Sequence, residues 1–377
     1  MRSQSHSPHS SGPTAGADPD KGWVAKHKRL LVSLLFGLVA GGFVYYMLPQ
    51  IVGLGPTLER LRGGNPRWFA LGVPLEALSY ASYVVLFHAV FSRSERRIGW
   101  RASYEIAMAG GGATKLLAAA GSGGVAVTVW ALRASGMPSD DTAEALFALD
   151  ILNYAVYMLA LVIGGFGLWF GVLPGRAPAW LTLIPAVVAL VVILVVVSML
   201  WCSGPVERFM LRRAKRSHGR PAGWWQKGAS LPRALERGVS GALEIARGRD
   251  GTWLAAIPGW GFDIGVLWAS FRAFGQSPPV APLVMGYYVG TLGNVLPTPA
   301  GVGGVEGGMV GAFLGFGVDG SLAVLAVLAY RTISYWLPAL PEGAGYLQLR
   351  RTVSRWRSKR HTSAGSKASG AAEKHDA

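Results

Sequence analysis

The sequence predicts an all-α integral membrane protein with six spans plus two re-entrant broken hairpins, arranged as an inverted repeat. Composition is the first reason. A chain of 377 residues that is 51% hydrophobic and 15% charged, with mean hydropathy +0.34, is too apolar for a soluble globule of its size. Segment length is the second. Apolar runs at 30–49, 68–91, 145–170, 179–202, 252–274 and 321–341 each reach the ~20 residues that cross a bilayer as helix. Third, two more apolar stretches, 102–133 and 281–316, are broken by glycine, at 118–124 (AAAGSGG) and 297–304 (PTPAGVGG). Irregular backbone at membrane depth is tolerated only where it is buried in protein or lines a cavity.

Taken in order, residues 1–27 are read as a disordered cytoplasmic tail, rich in Ser, Pro, Gly and His in their first twenty positions. The run at 30–49 lacks a small-residue cleavage site and exceeds a signal h-region, so it is read as a retained helix. The membrane domain occupies 28–350. Between its fourth and fifth spans lies a cytoplasmic loop, 203–250, with eleven Lys and Arg. Within that loop the spacing predicts an amphipathic helix over 231–247, with Leu231, Ala234, Leu235, Val239, Ala242, Leu243 and Ala246 on one face. It should lie on the membrane interface, anchored by Trp224 and Trp225. Residues 351–377 are basic and small, and are read as a second disordered cytoplasmic tail.

Charge decides between this topology and eight full crossings. Eight spans starting from a cytoplasmic amino terminus would put the eleven cations of 203–250 outside, against the positive-inside rule. Six spans keep them inside, together with Arg93, Arg96, Arg97, Arg101 and the basic carboxyl tail, and leave only Arg60, Arg62, Arg67 and Arg176 external. Both termini are then cytoplasmic, the membrane being a bacterial cytoplasmic one. The first hairpin enters from the cytoplasm and the second from outside, so they face each other. An internal repeat supports the pairing: Ala120 to Val125 (AGSGGV) aligns with Ala300 to Val305 (AGVGGV) at an offset of 180, and Phe87-His88-Ala89 matches Phe271-Arg272-Ala273 with a four-residue slip. The units run from about 67 to 170 and about 252 to 341. Inverted repeats of this kind form substrate sites at midplane between discontinuous helices.

Candidate site residues are the charges and breaks inside that framework. An arginine at mid-bilayer costs ~2.5–3.5 kcal/mol on insertion scales, so Arg331 requires compensation, and Glu306 is the carboxylate placed to give it. The pair either borders a polar cavity that holds an anionic head group or locks hairpin to helix. Gly301, Gly303 and Gly304, beside Pro297 and Pro299, break the helix and expose backbone donors. Lys115 and Asp150 sit in the opposing half, Asp150 one residue from the repeat position of Arg331. Asp263 and Glu76 also fall within spans, where an interfacial water pocket would accommodate them, and Arg272 and His88 lie near helix ends and snorkel. Gly303, Gly307, Gly311 and Gly315 have the small-xxx-small spacing of close helix packing.

Other classes are excluded. Cys202 is the single cysteine and the seven histidines are scattered without ligand spacing, so no metal or cofactor is expected. No nucleophile and base occur at a recognisable spacing, and there is no Walker A lysine, HExxH or GxSxG, so the chain is read as a non-enzyme. The net charge of +16 is explained by topology rather than nucleic acid.

Two segments, NVLPTPAGVGGVEGG and AYRTISYWLPALPEGAGY, resemble the carboxyl-terminal signature of the flippase-like membrane family that includes the transmembrane domain of lysylphosphatidylglycerol synthases. The pattern is matched by Pro299, Gly301, Gly303, Gly304, Val305, Glu306, Tyr330, Arg331, Trp336, Leu337 and Pro338. In the first half the family's hairpin proline and polar residue, and the arginine after it, are replaced by Ala118, Ala119, Ala120 and Ala126. The resemblance implies handling of membrane lipids or lipid-linked substrates, without the separate soluble domain that lysyl transfer requires. The expected function is translocation or presentation of an anionic lipid or lipid-linked head group. The alternatives are a scaffold for a lipid-synthesis or envelope enzyme, docked through 203–250, and a transporter for a small solute.

Overall fold

The structure, a computed structural model, describes residues 63–93, 98–116, 122–175, 178–216, 228, 231–248, 251–295 and 303–373. The expected span at 30–49, the amino-terminal tail, Trp224, Trp225 and the central residues of both hairpin breaks, 117–121 and 296–302, lie outside them. The described residues are helical, without strands. Helix α1 (Pro66–Phe91) starts with proline at its first position and with the Asn65 side chain accepting from the Arg67 amide, which satisfies one of the orphan donors of a helix start. Helices α2 (Trp100–Leu116) and α3 (Ser122–Ser135) flank the first break. Helix α4 (Ser139–Trp169), α5 (Ala179–Arg216) and α6 (Leu231–Arg247) follow, then α7 (Ala256–Ala273) after a 3₁₀ turn at Thr252–Ala255. Helix α8 (Val280–Thr291), prolonged by a 3₁₀ turn, and α9 (Gly304–Gly315) flank the second break. Helix α10 (Gly320–Arg331) passes through a π-helical turn at Thr332–Trp336 and continues as α11 (Ala339–Glu373).

Among the described residues, five helical segments are long and apolar enough to cross a membrane: Pro66–Phe91, Ser139–Trp169, Ala179–Arg216, Thr252–Ala273 and Gly320–Ser358. They coincide with five of the six expected spans. The two broken stretches form packed helix pairs, α2 on α3 and α8 on α9, whose members have 17, 14, 12 and 12 residues, short of the ~20 needed for a crossing. Glycine brings each pair together. A Cβ on Gly124 would lie 2.7 Å from the Gly110 carbonyl oxygen and 2.2 Å from Thr114 Oγ1, and one on Gly293 would lie 2.2 Å from the Gly304 oxygen. Gly110 and Gly124 stand 180 positions before Gly290 and Gly304, the offset of the repeat.

Among the described residues two cores form, one around each pair. Phe87, Ile106, Leu132 and Leu149 belong to the first, and Phe271, Met285, Met309 and Phe313 to the second. The aligned triplets occupy matching environments. Phe87 and Phe271 are fully buried, while His88 stacks on Trp100 and Arg272 stacks over Trp68 and Trp268. Helices α1 and α7 pack antiparallel: the Asn65 amide donates to the Ala273 carbonyl at one end, and Ser79 Oγ donates to the Gly259 carbonyl further along. The outward face of α5 exposes Trp180, Ile184, Val188, Val191 and Leu194, as expected of a lipid-facing span.

Three expectations are corrected. The small-xxx-small stripe of Gly303, Gly307, Gly311 and Gly315 is not the packing face, because nothing lies within 4 Å of a Cβ placed on Gly307 or Gly311. The close approach instead uses Gly304 and Gly308, a Cβ on the latter lying 2.9 Å from the Gly290 oxygen, and Gly315 is also in tight contact. Secondly, α6 spans the expected 231–247 and buries Val239 and Ala242 of the expected face, but it buries Pro232, Gly238 and Ile245 with them, whereas Leu231 and Leu243 are exposed. That face is set by the chain's own α4 and α5, which it packs against. Arg233 pairs with Glu207, and Ser203 donates to Glu236. Since a Gly238 Cβ would sit 2.5 Å from Phe147 Cβ, Gly238→Leu is expected to lower the denaturation midpoint in detergent by ~1–3 kcal/mol of overpacking, while Ser240→Leu on the exposed face leaves it unchanged. Thirdly, the tail expected to be disordered from 351 continues α11, with Leu349 and Val353 buried and Trp356 packed on the same core. The spacing of four and three places them on one apolar stripe within a basic segment.

Candidate functional site

The site is built where the two helix pairs meet the helix formed by α10, the π-helical turn and α11. Lys115, in the last turn of α2, sits beside the first break. Its Nζ contacts Glu342 Oε1 of α11 at 3.0 Å, donates to the Tyr80 hydroxyl at 3.1 Å and donates to the Tyr335 carbonyl at 3.0 Å. Tyr80 in turn donates to Glu342 Oε1 at 2.8 Å. The glycines at 111 and 112 make this possible, since a Cβ on Gly111 would lie 2.9 Å from Glu342 Oε1 and one on Gly112 would lie 3.2 Å from Glu342 Cβ.

Glu306, in the first turn of α9, sits beside the second break. Its Oε2 accepts from the Gly303 amide at 2.7 Å and its Oε1 accepts from Arg331 Nε at 2.7 Å. Gly303 holds φ +84°, a conformation that favours glycine, and this turn points its amide at the carboxylate. The Glu306–Arg331 contact expected from sequence is therefore present. Gly304 opens α9 next to it, and Gly301 lies outside the described residues.

Both ion pairs converge on one ring. Lys115 Nζ stands 5.0 Å and the Arg331 guanidinium 4.4 Å from the centre of Tyr335, which is carried by the π-helical turn. Such turns are rare and are often found at functional sites. Between α1 and α7, Glu76 and Asp263 add two more carboxylates. Tyr287 and Tyr330 both donate to Asp263 Oδ2. Glu76, Tyr80, Lys115, Asp263, Arg331 and Tyr335 share the wall of a cavity of about 700 Å³. A larger one, about 1870 Å³, is lined by Lys115, Arg133, Asp150, Glu342 and Arg357. Asp150 thus opens onto the larger cavity beside Lys115, without joining either ion pair. Within the described residues no group of three His, Cys, Asp or Glu is placed to hold a metal ion.

The run of membrane-length helices agrees with comparison to known proteins. The lysylphosphatidylglycerol synthase TM region family matches residues 17–341. The chain belongs to that family. A UPF0104 membrane protein of Methanothermobacter thermautotrophicus is 24% identical over 335 residues, covering 83% of this chain and 93% of the relative. A second match, described in the same words and from the same organism, is 38% identical over 82 residues, covering 22% of this chain and 23% of the relative. As a member of the synthase TM region family the chain is an integral, multi-pass membrane protein.

Sequence reasoning missed Glu342, Tyr80 and Tyr335, and undervalued Glu76 and Asp263. A signal for Glu342 was available: a carboxylate following Pro338 and Pro341 in a helix, with the triple glycine 110–112 elsewhere in the chain giving a surface close enough to receive it. Glu76 and Asp263, for which the sequence suggests a water pocket, both line the cavity of about 700 Å³.

Proposed function

We propose that this chain moves or presents an anionic lipid, or the anionic head group of a lipid-linked molecule, across the membrane, as a flippase-like protein with no transfer chemistry of its own. The observation that carries the reading is the convergence of both broken helix pairs, each through an ion pair, on Tyr335 at the cavity wall. Arg331 Nη2 is buried without a partner among the described residues, so its guanidinium keeps a donor for a phosphate oxygen. The donors of Lys115 are all engaged. Arg133 and Arg357 add positive charge along the larger cavity. Beside the polar wall, a groove of about 660 Å³ lined by Val84, Val85, Met108, Leu337 and Leu340 offers acyl chains an apolar surface.

The antiparallel crossing of α1 and α7 and the matching environments of the triplets support the inverted repeat. In this reading α2 and α3 re-enter from the cytoplasmic side and α8 and α9 from the opposite side. Rocking of the two halves would then expose the site around Tyr335 to each leaflet in turn.

The test is leaflet exchange of labelled phosphatidylglycerol in proteoliposomes of the full chain. Wild type should exceed empty vesicles, Arg331→Gln should fall to the empty-vesicle rate, and Arg331→Lys should recover part of the rate, because the charge is kept but the planar fork is lost. Equal rates for wild type and empty vesicles reject the proposal. Uptake of glycerol phosphate without lipid exchange would reject it in favour of a soluble solute.

A further inference from the structure

The seam between the halves carries more acid than base. Among the described residues it gathers four carboxylates, Glu76, Asp263, Glu306 and Glu342, against two cations, Lys115 and Arg331. Glu306 and Glu342 take both cations. Glu76 is 4% exposed and its Oε2 has no hydrogen-bond partner, and Asp263 Oδ1 has none either. Two ionised carboxylates cannot be held this way in a low-dielectric interior without a positive charge supplied from outside the pair.

The groups around Glu76 come from every neighbouring element. Asp263 faces it from α7, Lys115 from α2, Glu342 from α11, Tyr330 and Arg331 from α10, and Tyr335 from the π-helical turn. Tyr287 of α8, Tyr154 and Tyr157 of α4 and Tyr80 and Tyr83 of its own helix also line the wall. The cations among them form their ion pairs with Glu342 and Glu306, and neither is paired with Glu76 or Asp263 among the described residues. The surroundings also favour a proton over a metal ion. Tyr287 and Tyr330 direct their hydroxyl hydrogens at Asp263, whereas a cation requires oxygen lone pairs turned towards it.

We propose that Glu76 and Asp263 form a proton site, in which one proton bound between α1 and α7 couples lipid movement to the proton gradient. The coupling rests on the transport reading above, and the proton site itself does not. Binding converts a carboxylate to a carboxylic acid and consumes nothing else. Because α1 and α7 are the first helices of the two repeats, the proton relieves repulsion across the contact about which the halves turn. Its release restores that repulsion.

The experiment has two readouts on the full chain in proteoliposomes. In infrared pH titration, wild type should show a carboxylic-acid carbonyl band that disappears in Glu76→Gln and persists in Glu105→Gln. Glu105 is the control because it is equally buried, has one unpartnered oxygen, pairs with Arg101 and lies outside both cavities. In the second readout, labelled phosphatidylglycerol is followed with the membrane potential clamped to zero. With one proton per lipid, each pH unit of gradient should shift the steady-state leaflet ratio about tenfold, and in Glu76→Gln and Asp263→Asn the ratio should return to one. An identical infrared band in wild type and Glu76→Gln overturns the site, and so does a titration that changes when choline replaces sodium. A wild-type leaflet ratio that ignores the gradient while exchange proceeds overturns the coupling and leaves the flippase reading standing. Loss of the band in Glu76→Gln with no exchange by wild type has the opposite result, keeping the proton site and rejecting transport.

Discussion

Glu342→Ala destabilises the protein by about 3–5 kcal/mol, the cost of leaving a buried cation without its partner. Glu342 is 1% exposed, and its Oε1 receives both Lys115 Nζ and the Tyr80 hydroxyl, so one substitution strips two buried donors. Its place against Gly111 and Gly112 means that truncation also opens a gap between α2 and α11. Denaturation midpoints in detergent measure the effect. The partner experiment removes the charge from both sides: Glu342→Gln combined with Lys115→Met should recover most of the loss, because an uncharged contact of similar volume satisfies the same space. If Glu342→Ala denatures with the wild type, the pair does not hold α2 to α11. If the double variant is as weak as the single one, packing rather than charge accounts for the loss.

The second large effect is expected at the glycines that close the broken pairs. A side chain at Gly124 collides with Thr114 and the Gly110 carbonyl, and one at Gly290 would bring its Cβ to 2.1 Å from Met309 Cγ and 2.7 Å from Met309 Cα. These neighbours include backbone, which cannot rotate away, so Gly124→Leu and Gly290→Leu should each cost ~3 kcal/mol or more and reduce recovery of monodisperse protein. Gly307→Leu and Gly311→Leu are the internal comparison, since nothing stands within 4 Å of either. Equal tolerance at all four positions would show that the pairs are not closed by glycine contact.

Much of the architecture could be read from the chain because its determinants are local. Five apolar runs of sufficient length became five helices, and the Pro- and Gly-rich interruptions fell where the short helices end. The Glu306–Arg331 contact was also legible, since a mid-span arginine demands a carboxylate and Glu306 lies in the same repeat. What escaped is whatever depends on the phase at which one helix meets another. The buried face of α6 turned towards Gly238 and Ile245 because α4 offers Phe147 there. The same applies to Glu342, whose partner lies 227 residues away on α2 and is brought to it by glycines that, in sequence, look like any other flexible stretch. In α11, a stripe of Leu349, Val353 and Trp356 outweighed a basic, small-residue composition that read as tail.

The π-helical turn at Thr332–Trp336 has a consequence for which acid meets which base. Arg331 and Glu342 are eleven residues apart, and at about 100° per residue an unbroken α-helix would bring them back to within about 20° of one another, on one stripe and close to three turns apart. A π turn accommodates one extra residue, which swings everything beyond it by about 100° around the helix. Arg331 can then answer the carboxylate of one broken pair while Glu342 answers the ammonium of the other. A single wound-in residue thus lets one helix serve as a two-sided fastener, addressing each half of the molecule with the opposite charge.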